Sequence, residues 1–432
     1  RRGHYHGAIT ASNGLVVFVP HQSDCIGTLV IPDPPMPPPC PSPPPPSPPP
    51  PRPPPPPPQP PSPSPLAPLP SPPPPKSTEF NCYNIASTVK YVNHKFSGGG
   101  AVGDFVVFAP FRASCIGVFD STSNAFSCHY ISVATRYPYN RFSGATASNG
   151  LAILAPWHAN CVGVFDPSTK SFSCVDISGR VTGLAKFSGA VATASGLVVF
   201  APHGADCVGT FNPVTSDFNC IDVSVDGNFV GATVASNGLV IFIPRTADCV
   251  GVFDPATDAF SCVDITATTS LYPTPHEGAK FHGGTTANNG LIIFAPHGID
   301  CIGVFDPATN GFSCVSITNT SASHLTATNS ERKFDGATTA RNGLVVFAPA
   351  WADCFGLFDP TTNAFSCIDV FRRGHYHGAI TASNGLVVFV PHQSDCIGTL
   401  VIPDPPMPPP CPSPPPPSPP PPRPPPPPPQ PP

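Results

Sequence analysis

A short apolar run closed by proline recurs along this chain, once every 42–53 residues or so. One copy reads GLVVFAP at 196–202. Its β-branched and aromatic residues, bounded by Gly and Pro and too few for a helix, predict a strand. A second pattern follows each run, as in CVGVFDPATDAFSCVDI at 249–265. Its two alternating segments predict a hairpin with a type I turn at Asp254-Pro255-Ala256-Thr257, so that each repeat carries four strands.

Four short strands per repeat are typical of a propeller blade. The seventh copy lacks its last strand, and the matching element, STEFNCYNI, lies at 77–85. We therefore predict an all-β fold, a seven-bladed β-propeller over 77–404, in which the outer strand 77–85 closes the blade 375–402. Pairing of 77–85 with the upstream copy at 4–30 is the alternative, which stiff polyproline disfavours. Full copies begin near Lys95, Arg141, Lys186, Asn228, Lys280 and Lys333, and the partial one begins at His375.

The 17 cysteines are spaced almost regularly. In the predicted hairpin Cys249 stands opposite Cys262, within disulfide reach. The pair from the two ends of the ring, Cys82 and Cys396, would lock it covalently. Zinc is the competing use, but isolated pairs on separate blades cannot converge on one ion; reduced core thiols are a further alternative. The predicted disulfides are Cys82–Cys396, Cys115–Cys128, Cys161–Cys174, Cys207–Cys220, Cys249–Cys262, Cys301–Cys314 and Cys354–Cys367.

Proline dominates two other segments, which hold 54 of the 70 prolines. The stretch Arg1–Pro61 also recurs without change as Arg372–Pro432, 371 residues later. This recurrence predicts a tandem array: 1–31 is the partial last blade of a preceding unit, 32–76 a polyproline II linker and 405–432 the start of the next linker. A passive spacer or an SH3 or WW ligand is the simpler reading of the prolines. Cys40 and its copy Cys411 are either cross-links between chains or free thiols.

Charge and hydropathy exclude several classes of protein. The formal net charge is −5 and only 10% of residues are charged, against about 25% in ordinary soluble domains. There is no basic patch for nucleic acid, and no apolar run approaches the roughly 20 residues of a membrane helix. Attached sugar would supply the missing solubility, and the cysteine pairs indicate an oxidising, extracellular location.

The tract SPPPPSPPPPRPPPPPP resembles the hydroxyproline-rich glycoproteins of volvocine green algae, found in cell walls and ciliary mastigonemes. The blade consensus separately resembles kelch-like propeller repeats of protists, and the combination looks most like an axial mastigoneme (ciliary filament) protein. The resemblance implies arabinose on hydroxylated prolines and galactose on serines. The implied acceptors are Pro43, Pro44, Pro45, Pro46, Pro48, Pro49, Pro50, Pro51, Pro53, Pro54, Pro55, Pro56, Pro57, Pro58, Ser42 and Ser47. Independently, Asn319 in Asn-Thr-Ser predicts N-glycosylation.

Two near-symmetric sets of residues are candidate ligand sites. Basic residues begin the first strands and could ring one mouth of the channel; alternatively they form Lys–Asp bridges with residues such as Asp248 that precede the third-strand cysteines. His203, His297 and His392 follow the second-strand proline on different blades, which favours surface contacts over metal binding. The candidate ligand ring is Lys95, Arg141, Lys186, Lys280, Lys333 and His375.

The repeat as a whole indicates a structural role. No catalytic set of residues departs from the repeat, so we predict no enzyme activity, no metal, and no cofactor beyond covalent arabinose- and galactose-containing glycans. The predicted function is a structural tandem-repeat unit of an extracellular glycoprotein filament, on the ciliary surface or in the cell wall matrix. Its partners would be further copies of itself and other filament glycoproteins. The alternative is an extracellular binding module that recognises glycan or protein through the propeller mouth.

Overall fold

The computed structural model describes residues 78–89, 93–132, 139–272, 278–318, 332–369 and 375–403, and the strand backbones 5–10, 15–20 and 27–30. The chain divides into two compact units, one of Pro75–Asp404 and one of Arg1–Pro74 with Pro405–Pro432. In the second of these units, Tyr5–Thr10, Leu15–Pro20 and Gly27–Val30 form a three-stranded antiparallel sheet. The predicted linkers 32–76 and 405–432, with their proline and serine glycosylation sites, lie outside the described residues.

The unit Pro75–Asp404 is the predicted seven-bladed propeller, built of seven four-stranded antiparallel sheets. We number the blades by their first strands in chain order. Blade 1 is Phe96–Val102, Phe105–Pro110, Cys115–Asp120 and Ala125–Tyr130; blade 2 is Phe142–Ser148, Leu151–Pro156, Cys161–Asp166 and Ser171–Asp176; blade 3 is Phe187–Ala192, Val198–Pro202, Cys207–Asn212 and Asp217–Asp222; blade 4 is Phe229–Val234, Val240–Pro244, Cys249–Asp254 and Ala259–Asp264.

The remaining blades follow the same plan. Within the described part of the chain, the one helix, Thr266–Thr269, has four residues, and no helix is long and apolar enough to cross a membrane. Blade 5 is Phe281–Thr286, Ile292–Pro296, Cys301–Asp306 and Gly311–Ser316; blade 6 is Phe334–Thr339, Val345–Pro349, Cys354–Asp359 and Ala364–Asp369; blade 7 is Tyr376–Thr381, Val387–Pro391, Cys396–Val401 and Glu79–Asn84.

Blade 7 takes its outermost strand from the beginning of the propeller. Glu79–Asn84 pairs antiparallel with Cys396–Val401, with Glu79 opposite Val401 and Cys82 opposite Gly398. The disulfide Cys82–Cys396 joins the same two strands, with 5.4 Å between the Cα atoms. The upstream sheet, by contrast, has only its own three strands. The ring is therefore closed both by hydrogen bonds and by a covalent bond.

Burial explains why each repeat makes these strands. The second strand of each blade is apolar and its last five residues are buried, whereas the outermost strand of each blade is mostly exposed. In blade 1 three phenylalanines, Phe96, Phe108 and Phe126, converge on Gly117 of the third strand. A Cβ atom at Gly117 would lie 2.9–3.1 Å from all three rings. The glycine of the Cys-x-Gly pattern, which has no side chain, thus leaves the space that the core side chains of each blade occupy.

The seven predicted disulfides are present, but the register of the hairpins differs from the one predicted. Cys249 lies opposite Asp264, and Cys262 lies opposite Gly251, so that each bridge runs diagonally across the strand pair. The cause is the turn, which has four loop residues and ends with Asp258 in the left-handed region at φ 58°. The diagonal positions still bring the Cα atoms to 5.4 Å, within the range of a disulfide. Seven disulfides indicate an oxidising environment.

Candidate functional site

A ring of seven glycines surrounds the channel where the first strands of the blades meet. All seven have positive φ, between 70° and 123°. A Cβ atom built on Gly144 would lie 2.6 Å from the Cα of Gly189, and one on Gly189 would lie 2.7 Å from the Cα of Gly231. Only glycine permits both this backbone conformation and this close approach of neighbouring blades. The ring consists of Gly98, Gly144, Gly189, Gly231, Gly283, Gly336 and Gly378.

The residue before each of these glycines faces a funnel on one side of the ring. Four blades carry small residues there, and three consecutive blades carry His282, Asp335 and His377. The upper wall of the funnel comes from residues that follow the second-strand prolines, among them Trp157, His203 and Arg245. The funnel is a cavity of about 290 Å³. It is lined by Ser97, Phe111, Ser143, Trp157, Ser188, His203, Val230, Arg245, His282, His297, Arg332, Asp335, His377 and His392.

Asp335 of blade 6 is the centre of a polar cluster at the floor of the funnel. Its Oδ1 lies 2.7 Å from Nδ1 of His297 and 3.7 Å from Nδ1 of His282, and its Oδ2 lies 3.1 Å from Nε2 of His377. The side chain of Asp335 is 8% exposed. Burial alone would raise the pKa of Asp335, but the neighbouring histidines and the hydrogen bond from His297 outweigh it and hold that pKa well below its usual value.

The histidines of the cluster are oriented by further contacts. Nδ1 of His377 lies 2.9 Å from Oγ of Ser97, and its ring stacks on His392 with 4.3 Å between centroids. His392 in turn donates from Nδ1 to the carbonyl of Phe96 at 2.6 Å. Burial lowers the pKa of His282 and of His392 well below the usual value. These two imidazoles are therefore neutral at physiological pH. In His392 the proton lies on Nδ1, and Nε2 is 2.6 Å from Nδ1 of His94 and accepts its hydrogen bond.

The upper wall has a different character. The ring centroid of Trp157 lies 4.5 Å from that of His203 and 6.0 Å from that of Phe111, with the ring planes inclined by 56° and 61°. Three aromatic side chains from blades 1, 2 and 3 therefore form a cluster. Burial, with a smaller contribution from Arg245, lowers the pKa of His203 to about 4. Asp335 is the one carboxylate among the residues that line the funnel within the described chain. The wall thus offers flat apolar faces and cationic groups.

The predicted ligand ring is not at a channel mouth, and this prediction is wrong. Lys95 and Lys186 are 2% and 1% exposed. Each basic residue precedes its first strand and points back into the neighbouring blade. There an aspartate pairs with three of the charges, and backbone carbonyl oxygens accept from the other two. Only the Lys–Asp alternative is met. The contacts are Lys95–Asp395 at 2.8 Å, Lys280–Asp248 at 2.8 Å, Lys333–Asp300 at 2.7 Å, Lys186 Nζ to the Ala159 carbonyl at 3.1 Å and Arg141 Nη1 to the Ala113 carbonyl at 2.8 Å. The sixth member, His375, packs its ring 4.6 Å from that of Trp351.

Sequence reasoning missed the floor cluster although one aligned column contains it. In the repeated Lys-Phe-x-Gly the variable position reads Ser, Ser, Ser, Val, His, Asp, His around the ring. This departure from the repeat is the signal of a local site, because structural positions such as the adjacent Phe and Gly hardly change. His297 and His392 were singled out, but not their contacts with this column. The predicted glycosylation site Asn319 and the cysteines Cys40 and Cys411 lie outside the described residues.

Solved structures with the same fold include enzymes and extracellular domains. A streptogramin B lyase is 18% identical, with a TM-score of 0.58 over 75% of this chain and 97% of the lyase. Virginiamycin B lyase from Staphylococcus aureus is 14% identical, with a TM-score of 0.60 over 76% and 100%. The extracellular domain of a one-component system from B. thetaiotaomicron is 12% identical, with a TM-score of 0.53 over 74% and 42%. No protein-family model and no curated protein matches the chain.

These neighbours contradict the prediction that the chain is not an enzyme. That prediction relied on the near-symmetry of the repeat, yet lyases have this fold. Moreover, the floor of the funnel breaks the sevenfold symmetry with His282, Asp335 and His377. At these identities the likeness establishes the fold alone, so the reaction of the lyases is not transferred to this chain.

Proposed function

We propose that this chain is a repeating unit of an extracellular glycoprotein filament, in which disulfide-closed propellers are joined by O-glycosylated, hydroxyproline-rich rods. The observation that carries the proposal is the exact recurrence of 61 residues at a distance of 371. The recurring stretch includes strands of a blade as well as the proline-rich segment. The repeated unit would therefore contain a propeller and the linker that joins it to the next propeller. Further copies of the chain and other filament glycoproteins would be its partners.

The closure of blade 7 supports a role under tension. The proline-rich segments precede Glu79 and follow Val401, which are directly opposite each other in the last strand pair. A pull on the two segments would therefore separate the strands one residue pair at a time, which is the weak direction for a β-ladder because its hydrogen bonds break in succession. Cys82, opposite Gly398, is the fourth residue from that end. The disulfide would stop the separation after about three pairs.

The composition supports the extracellular setting. With only 10% charged residues the protein needs another source of solubility, and the resemblance of the proline tract to volvocine wall and mastigoneme glycoproteins points to attached sugar. On that resemblance we propose a location on the ciliary surface or in the cell wall matrix. The low charge also limits repulsion between adjacent copies, which favours lateral packing in a filament.

Two measurements on the native glycoprotein test this proposal. Mass spectrometry of glycopeptides from 33–76 should find pentose on hydroxyprolines and hexose on serines. Negative-stain electron microscopy should show ring-shaped particles regularly spaced along a thread. Unmodified prolines together with single, separate rings would contradict the filament, whereas modified prolines on single rings would retain the glycoprotein class and reject only the assembly.

The aromatic wall of the funnel favours a second candidate function, the capture of a glycan or a protein segment. Trp157, Phe111 and His203 present adjoining ring faces beside Arg245, the combination on which a sugar ring with an acidic substituent packs. Screening the full chain on a glycan array tests this function. Trp157→Ala should lower the affinity for any glycan that binds by about tenfold or more. Tyr130→Ala, which removes an exposed ring from the outermost strand of blade 1, is the matched control. Equal loss in both variants would reject the funnel as the binding site.

A further inference from the structure

We propose that His282, Asp335 and His377 form a binding site for one divalent transition-metal ion, Zn²⁺ being the best fit, at the floor of the funnel. The three residues occupy the same repeat position in blades 5, 6 and 7. Their ligand atoms all lie within 4.8 Å of one another. The inference is independent of the filament proposal, since it concerns only one propeller.

The distances suit a small ion. Ligand atoms at about 2.0–2.2 Å from a tetrahedral Zn²⁺ are roughly 3.3–3.5 Å apart. Asp335 Oδ2 is 3.1 Å from His377 Nε2, and Asp335 Oδ1 is 3.7 Å from His282 Nδ1. These two separations lie on either side of the ideal value, but they involve different oxygens of Asp335, and the ligand atoms of the three residues are within 4.8 Å of one another. Rotation of the two imidazole rings towards the carboxylate would bring all three residues onto one ion. Because the three side chains come from consecutive blades, they lie on one side of that ion and leave its remaining position open to the funnel.

Neighbouring residues orient the ligands as metal sites require. Ser97 Oγ lies 2.9 Å from Nδ1 of His377. When a metal ion is bound, Nδ1 would donate its hydrogen bond to Ser97 and Nε2, the atom 3.1 Å from Asp335, would offer its lone pair to the ion. His297 holds Oδ1 of Asp335 at 2.7 Å and fixes the carboxylate plane. These contacts come from blades 1 and 5, so the rigid ring itself positions the ligands. Such preorganisation lowers the cost of binding an ion.

The set of donors selects the kind of ion. Two imidazoles and one carboxylate suit Zn²⁺, Fe²⁺, Co²⁺ and Mn²⁺, whereas Ca²⁺ and Mg²⁺ need mostly oxygen ligands. Within the described lining of the funnel Asp335 supplies the only carboxylate. Affinity must therefore come mainly from the imidazoles.

The alternative is a polar cluster that stabilises the channel without an ion, and titration of the full chain distinguishes the two. Protein treated with a chelator and then dialysed is titrated with Zn²⁺ by calorimetry and with Co²⁺ by visible absorption. The proposal expects one ion per propeller at micromolar Kd or tighter, and d–d absorption bands of low-symmetry Co²⁺. A hundredfold excess of Mg²⁺ or Ca²⁺ should not displace Zn²⁺.

Substitutions of the two histidine ligands locate the site while the buried carboxylate of Asp335 is retained. His282→Gln and His377→Gln should each weaken Zn²⁺ binding by about tenfold or more, and the double variant should abolish it. His203→Gln, in the same funnel but beside Trp157, should bind as the unaltered protein does. Near-UV circular dichroism checks that each variant is folded. Absence of stoichiometric binding, or binding of equal strength in the double variant, overturns the proposal.

Discussion

The closing disulfide Cys82–Cys396 should stabilise the propeller more than a disulfide within one hairpin. It joins residues 314 apart, whereas Cys249–Cys262 joins residues 13 apart. In the chain-entropy model the long loop contributes about 6 kcal/mol and the short loop about 3 kcal/mol. The double variant Cys82→Ser/Cys396→Ser should therefore lose roughly twice as much unfolding free energy as Cys249→Ser/Cys262→Ser.

The two pairs are well matched for this comparison. In both, one cysteine begins the third strand of a blade and the other lies in the exposed fourth strand, and the Cα separation is 5.4 Å. Guanidinium unfolding of the full chain, followed by circular dichroism, measures both losses. Equal losses would refute the argument, because they would show that closure of the ring adds nothing to the stabilising effect of a local bridge.

Force spectroscopy gives a second readout of the same change. With the disulfide intact, tension can release only the residues outside Cys82 and Cys396, a gain of a few tens of ångström per propeller. Without it, but with the six other disulfides present, the ring can unravel by about 900 Å. A chain pulled through its proline-rich segments should show the long extension only in the Cys82→Ser/Cys396→Ser variant or after reduction. Long extensions in the oxidised, unaltered protein would contradict the assigned closure.

Three further predictions concern the ring, the blade contacts and pH. Gly189→Ala should cost about 3 kcal/mol or more because it combines positive φ with a Cβ 2.7–3.0 Å from a neighbouring blade. Gly103→Ala, with positive φ but open space, should cost only about 1–2 kcal/mol, and thermal unfolding compares the two variants. Lys280→Ala removes a buried ammonium group that is hydrogen-bonded to Asp248 and to two backbone carbonyls, and it should reduce the free energy of unfolding by about 1–3 kcal/mol. The control Arg180→Ala, at an exposed position, should change it almost not at all, and denaturant titration measures both variants. Burial lowers the pKa of His203 to about 4 in the folded state, so the unfolded chain binds more protons as the pH falls from 6.5 to 4. His203 alone should therefore contribute a loss of up to about 3 kcal/mol of stability over that window, in addition to the losses from His282 and His392, and His203→Gln should remove this contribution.

The sequence was sufficient for the blades because their repeat ties each local pattern to a place in the ring. The last five residues of GLVVFAP are buried in all seven blades of the propeller. The separate element at 77–85 could be assigned by matching it to the strand missing from the seventh copy. The hairpin register was predicted wrongly because it depends on one residue, Asp258, whose left-handed conformation nothing in the pattern Asp-Pro-Ala-Thr reveals. Because the centre of the turn lies one residue further along the chain than predicted, the residue opposite each position changes by two, from Cys262 to Asp264 for Cys249.

The site was harder to predict because it depends on the direction in which each side chain points at the start of the first strand. Lys95 and Ser97 are two residues apart and would face the same way in a regular strand, but the pairing of Phe96 with Pro110 and of Gly99 with Phe108 contains a bulge. The lysine consequently turns into the neighbouring blade while the serine faces the channel. The positive charge of Lys95 drew attention to the lysine position, whereas the candidate site shows itself only as His, Asp and His in a column that elsewhere contains Ser or Val.

The seven glycines also determine what can travel along the axis of the propeller. If adjoining Cα atoms are in contact at about 4 Å, they form a circle about 9 Å across, and the free aperture is about 5 Å. Water and small ions fit through such a sieve, but a sugar ring or a peptide does not. Any large molecule that reaches the histidines must consequently enter and leave on the same side of the glycine ring, while water can also pass through the aperture to the opposite side.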